Sequence, residues 1–92
     1  MRVEDDERER RLARLIAAAN WAQMTPKLFA YAMYQLARAG RTEGPYDKTA
    51  KDYVTKAVYE VLNGEHSPHK LEQLFPILCA VVAMRIRQDL AN

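Results

Sequence analysis

The segment from Thr49 to Leu62, TAKDYVTKAVYEVL, constrains the fold more than any other stretch, because its apolar residues share one face only if the backbone is helical. Ala50, Tyr53, Val54, Ala57, Val58, Val61 and Leu62 recur at spacings of three and four, which stacks their side chains along one side. The other side carries Lys51, Asp52, Thr55, Lys56, Tyr59 and Glu60. Thr49 is placed to accept from a free amide of the first turn, and Asp52, three residues on, to answer it in a capping box. Asn63-Gly64 then supplies the stop.

The remaining elements follow from the same signals. Glu4 to Ala22 reads as a first helix with Leu12, Leu15, Ile16, Ala19 and Trp21 or Ala22 as its apolar stripe. Its opening mixes Glu4, Asp5, Asp6, Glu7 and Glu9 with Arg8, Arg10, Arg11 and Arg14, so residues 1–10 are expected to form a charged, fraying extension. Thr25-Pro26 predicts the start of a second helix, with Thr25 as cap and Pro26 in the first helical position, and Gly40 its end. Within it Leu28, Phe29, Tyr31, Ala32, Met33, Leu36 and Ala37 cover more than one stripe, which predicts a central helix contacted on several sides. Arg41 to Asp47 holds Gly44-Pro45 and no periodicity, and reads as a surface loop.

Ser67-Pro68 repeats the cap-then-proline signal, but Pro76 follows eight residues later, where it would delete a hydrogen bond in mid-helix. The spacing therefore predicts a short helix over 68–74 and a final helix from Phe75 to Leu90, with Leu78, Val81, Val82 and Ile86 inward and Arg85, Arg87 and Gln88 outward. No apolar alternation marks a strand. The expected fold is all-α: one domain over residues 1–92, a compact bundle of four main helices plus a short helix before the last.

Ninety-two residues suffice for one core and leave little room for an elaborate cleft. A net charge of +2 lacks the broad basic footprint of a duplex-DNA binder, so nonspecific nucleic-acid binding is expected to be weak. Cys79 is the only cysteine, which rules out an intrachain disulfide and suits a buried small hydrophobe in a reducing compartment. The acidic start, MRVEDDERERR, does not resemble a signal peptide, and the apolar run from Ile77 to Met84 is far shorter than a membrane span. A soluble cytoplasmic protein without membrane contact is expected.

Chemistry-bearing motifs are sparse. No glycine-rich phosphate loop, nucleophile elbow or zinc-helix motif occurs, and His66 and His69 beside Glu65 read as exposed loop residues rather than metal ligands. No catalytic residue, metal or cofactor is assigned, and an enzyme is not expected. Tyr31 and Tyr53 lie on apolar faces and should pack with their hydroxyls at the rim, while Tyr46 and Tyr59 should be exposed. Tyr59, between Lys56 and Glu60, is a reasonable anchor for a protein partner. Arg85 and Arg87, with Arg38, Arg41 and Lys70, are the candidates for a local basic surface if the fold brings them together.

The order LFAYAMYQLARAG, KDYVTKAVYEVLNGE, LFPILCAVVAMRIRQDLAN resembles region two of bacterial RNA polymerase sigma factors, especially small members of the extracytoplasmic-function class and their degenerate relatives, across about Leu28 to Leu90. The resemblance implies a supporting helix, then a helix that docks on the coiled coil of the polymerase clamp, then a helix that opens the promoter and captures a flipped base. Asp52, Val54 and Ala57 match the middle segment, with Tyr53 and Val58 in place of the common Leu and Phe. The exposed Gln-Glu pair of that family is here Thr55-Lys56, a reversal of charge where the clamp would be met.

In the third segment Ile77, Leu78 and Val81 stand at the Trp, Leu and Ile places, Met84 stands at the Asn place, and Ala83 where a basic residue is common. An eroded base-capturing surface is the implication, without promoter melting by this chain alone. The resemblance thus implies a transcription-related binding module that docks on the RNA polymerase clamp, or mimics a sigma factor toward a sigma-binding regulator. Asp52, Thr55, Lys56, Tyr59 and Glu60 would form the docking surface, and Arg85 and Arg87 would contact phosphates of weakly bound DNA. A helical adaptor or homo-oligomer without nucleic-acid binding is the alternative that the broad apolar surface of Leu28 to Ala37 leaves open.

Overall fold

The computed structural model describes residues 3–66, 68 and 70–91, with the backbone alone for residues 3–6. The described residues form four helices, in order α1 (Val3–Ala18), α2 (Trp21–Arg38), α3 (Ala50–Leu62) and α4 (Leu71–Ala91), with a tight turn at Pro45–Asp47 between α2 and α3. No strand occurs among the described residues, and the chain is an all-α bundle.

α3 carries the capping box that its sequence predicts. The Asp52 amide donates to Thr49 Oγ1 at 3.4 Å, and the Thr49 amide donates to Asp52 Oδ2 at 2.7 Å. Its other end closes on Gly64, whose φ of +77° suits a residue without a Cβ. There Gly64 N–H bonds to the Val61 carbonyl at 3.0 Å and Glu65 N–H to the Glu60 carbonyl at 3.1 Å, so two carbonyls of the last turn are satisfied. Gly40 ends α2 by the same pair of bonds, to Ala37 and, through Arg41, to Leu36.

Helix starts are where the structure departs from the proline signals. α2 begins four residues before Thr25, at Trp21, because Asn20 Oδ1 accepts from the Gln23 amide at 3.1 Å and the Trp21 indole N–H reaches back to the Ile16 carbonyl at 2.9 Å. The break between α1 and α2 therefore falls at Ala19-Asn20, and Trp21 and Ala22 belong to α2. Pro26 is its sixth residue, and the carbonyl deprived of its amide donor belongs to Ala22, which is exposed, so the loss is not buried.

Pro76 occupies the sixth position of α4 in the same way, so among the described residues no separate short helix precedes α4, and the last turn of the one predicted over 68–74 is the first turn of α4. The physical reason is packing: Leu74 and Leu78, on either side of Pro76, are both fully buried, and only a continuous helix seats both. Lys70 N–H donates to Gln73 Oε1 at 3.3 Å and fixes the start. Ser67, the predicted cap, lies outside the described residues.

The core is a three-helix seam. Leu28, Ala32 and Leu36 of α2 meet Tyr53, Val54, Ala57 and Val61 of α3 and Leu74, Leu78, Val81, Val82 and Ile86 of α4. α2 is not enclosed on several sides, as its composition had suggested: its buried residues form one stripe of period four, while Met33 and Tyr34 are 62% and 57% exposed. No described side chain of α1 is fully buried; Leu12 rests against the core edge, and the helix leans on α4. Leu62, expected inward, is half exposed at the end of α3. Cys79 packs at the core edge, and its partial burial pushes the thiol pKa up. Among the described residues no helix is long and apolar enough to cross a membrane.

Candidate functional site

The capping box turns the outer face of α3 to solvent with Lys51, Asp52, Thr55, Lys56 and Tyr59 all exposed. Not all of them are available. Asp52 Oδ2 accepts from both the amide and the hydroxyl of Thr49, at 2.7 and 3.1 Å, and these bonds hold its carboxyl below the usual range. Lys56 Nζ stands 5.9 Å from the centre of the Tyr59 ring, within reach of its π face.

Glu60, expected on this face, is instead 1% exposed. Arg85 Nε donates to its Oε2 at 3.1 Å and Arg85 Nη2 to its Oε1, a forked pair that compensates the buried carboxylate. Arg85 Nη1 reaches Gln88 Oε1 at 3.3 Å, so this arginine, predicted as an outward phosphate contact, is half-buried and engaged by protein groups. The signal was present in the spacing. Glu60 lies three residues after Ala57 and seven after Tyr53, and Arg85 lies seven after Leu78, so both continue buried stripes.

A second charged cluster closes the start of the α3–α4 seam. Asp89 Oδ2 accepts from the Tyr53 hydroxyl at 2.8 Å and from Lys48 Nζ at 3.0 Å. Burial, aided by the bond to Asp89, pushes the Tyr53 phenol up to about 12, while the bond from Lys48 holds the Asp89 carboxyl below its ordinary value. A recess of about 240 Å³ opens here, lined by Lys48, Asp52, Tyr53, Lys56, Arg85 and Asp89. A wider depression beside it is lined by Pro45, Tyr46, Lys48 and Asp89, so the Lys48–Asp89 pair is the wall between them. Lys48, Tyr53 and Asp89 were not assigned from sequence to any site, since their contacts join residues 36 and 41 positions apart and leave no local pattern.

Of the basic set, exposed Arg87 shares a shallow depression with Arg38, Gln35, Ala39, Ile86 and Leu90, and Arg38 lies over the Tyr34 ring at 5.7 Å. Arg85, Arg41 and Lys70 are not part of it. Half-buried His66 borders an apolar groove with Ile77, Ala80, Val81 and Met84, and His69 lies outside the described residues. No group of three or more His, Cys, Asp or Glu among the described residues is arranged to hold a metal ion. What the outer α3 surface can do is bind: it offers an exposed aromatic ring, two lysines and a recess with a charged rim.

Comparison of the chain with protein-family models, with curated proteins and with solved structures returns no match.

Proposed function

We propose that the chain is a non-enzymatic binding module of transcription, a bundle resembling sigma region two that seats an acidic protein partner on the outer face of α3. The observation that carries this reading is the division of charge on that face. Glu60 is paired with Arg85, and Asp52 keeps its charge while its carboxylate is held by the cap, whereas Lys51 and Lys56 form no salt bridge among the described residues. The exposed face thus carries two lysines against one carboxylate, with Tyr59 59% exposed beside Lys56. Such a surface steers an acidic partner and gives it a ring to bury.

The resemblance to sigma region two supplies the class of partner. Lys56, standing where that family has an acidic residue, favours a sigma-binding regulator with an acidic surface over the polymerase clamp. Contact with DNA is reduced to Arg87 and Arg38, since Arg85 is held by Glu60. The test is affinity purification of the full chain from its source cells, alongside binding to the isolated clamp coiled coil. A transcription regulator should co-purify, and Lys56→Glu should cut its recovery at least about tenfold. Recovery of no transcription protein, or recovery indifferent to Lys56→Glu, would end this reading.

One observation favours a second reading. Met33 and Tyr34 leave an apolar patch on α2 that a second copy of the chain would cover. Sedimentation at micromolar concentration decides it, since a strict monomer removes self-association.

A further inference from the structure

We infer that α1 is an exchangeable helix: by straightening at Asn20 it leaves its own bundle and packs on α4 of a second copy of the chain, giving a dimer of two interlocked chains. This rests on self-association, the second of the two readings above, and names the element that is traded. It is independent of docking at α3. The stretch Ala17-Ala18-Ala19-Asn20-Trp21-Ala22 holds no residue that forbids a helix, and no glycine or proline occurs before Pro26. Alanine is the strongest helix former, so local preference favours one continuous helix through this stretch. The chain bends there all the same, within Ala19 and Asn20, and Asn20 carries the non-helical angles φ −87° and ψ 82°.

Two side-chain hydrogen bonds fasten the bend, from the Gln23 amide to Asn20 Oδ1 at 3.1 Å and from the Trp21 indole to the Ile16 carbonyl at 2.9 Å. Straightening gives these up and lets the amides of residues 20–23 pair with the carbonyls of residues 16–19 as in any helix interior. Pro26 adds no obstacle, since the bond it deletes is already missing from α2. What α1 leaves behind is modest. Leu12, Leu15 and Ile16 are only half-buried, and a depression of about 380 Å³, bordered by Leu12, Ala13, Ile16, Leu62 and Asn63, lies between α1 and the end of α3. The fully buried cluster is made by α2, α3 and α4 alone. A helix that adds one face to the edge of a finished core, on a two-residue joint, is readily traded between copies, because the second copy offers it the same seat.

Straightening also gives the exposed pair Met33 and Tyr34 a cover. Leu15 and Met33, like Ile16 and Tyr34, are eighteen residues apart in the sequence, which is five full turns of a helix. In the straight form the two pairs therefore face the same way, about 27 Å apart along the axis. A second bundle seated on Leu15 and Ile16 lies on the side where Met33 and Tyr34 meet solvent, and at 46 × 28 × 16 Å the chain is long enough to reach them.

The experiment places p-benzoylphenylalanine at position 13, where exposed Ala13 borders Leu62 and Asn63, and mixes this full chain with an excess of isotopically heavy, unaltered chain at micromolar concentration. Monomer and dimer are separated by size, irradiated, and their cross-linked peptides weighed. In the dimer the photoreactive residue should capture the segment around Leu62 of the heavy chain, and in the monomer the same segment of its own chain. Two hinge variants should move the balance. Asn20→Ala removes the cap and favours the straight helix, so it should tighten the dimer at least about tenfold; Ala19→Gly weakens only the straight helix and should loosen the dimer by a similar factor. Capture within one chain in the dimer fraction, or dimerisation indifferent to either hinge variant, overturns the exchange and leaves self-association through Met33 and Tyr34 standing. A strict monomer removes both.

Discussion

Among the described residues two ion pairs of opposite character tie α4 to its surroundings, one to α3 and one to the loop before it. Glu60–Arg85 lies inside, with the carboxylate sealed from water and both of its oxygens occupied. Lys48–Asp89 lies at the surface, where the lysine side chain is 46% exposed and the acceptor oxygen is shared with Tyr53. Water reaches both members of the second pair but only the arginine of the first, whose side chain is 35% exposed, so the same chemistry has different consequences at the two places. The inner pair fixes how α3 and α4 register, because an unpaired carboxylate there has no alternative partner. The outer pair holds a loop and stands between two recesses that a partner can reach.

The contrast is broken most forcefully at Arg85. Arg85→Ala strands the Glu60 carboxylate, and urea denaturation should show a loss of about 3–5 kcal/mol, a large share of what a domain this size has. Replacing both members, with Glu60→Met and Arg85→Met together, should restore most of that stability, since an apolar pair needs no compensation. A small effect of Arg85→Ala would mean that the pair is not buried in solution.

Next in size is Gly44→Ala, which pushes a methyl group against the Tyr53 ring and should cost about 1–3 kcal/mol in the same measurement. The pH profile then separates Tyr53 from Asp89. Tyr53 has its pKa raised from 10.0 to about 12 in the folded chain, so its contribution is fully present below pH 10 and is lost as pH rises toward 12. Tyr53→Phe should abolish that alkaline loss and cost about 1 kcal/mol at neutral pH through the hydrogen bond to Asp89. Asp89 moves the other way: its folded pKa lies below 3.8, so its contribution is present above that value and fades as pH falls through the folded pKa. Asp89→Asn should flatten the acid limb of the stability curve.

The smallest effect belongs to Lys48. Lys48→Ala should cost under about 1 kcal/mol, and the difference should shrink further in high salt, whereas the Arg85→Ala penalty should barely respond to salt. Equal salt dependence at the two sites would erase the distinction between them.

Local chemistry was legible in the sequence, and distant pairing was not. The capping box at Thr49 and Asp52 and the glycine ends at Gly40 and Gly64 were readable because each is settled within about five residues. The prolines misled because a proline forbids one hydrogen bond, not a helix, and burial of Leu74 and Leu78 outweighs that loss. Asn20 was hidden by Trp21 and Ala22, which extend the apolar stripe of α1 as convincingly as they begin α2. In the candidate site, Lys56 and Tyr59 stand exposed where spacing put them, but Glu60 was judged by its charge rather than by its position between Ala57 and Val61. The Asp89 cluster had no local trace, since it exists only once α3 and α4 are packed. The left-handed turn at Tyr46 was equally silent, because a tyrosine does not announce one.

Pro26 and Pro76, each the sixth residue of its helix, have one more effect, on the order in which the molecule opens. Each removes the amide that would tie the first turn to the second, so the leading turns of α2 and α4 can unwind and reclose while the rest of the helix stays intact. What holds them is a separate fastening in each case: the Trp21 indole on the Ile16 carbonyl for α2, and buried Leu74 for α4. Deuterium exchange should therefore label the amides of residues 24–25 and 74–75 through brief partial openings, well before those of residues 32–36 and 82–86, which wait for the whole bundle to come apart.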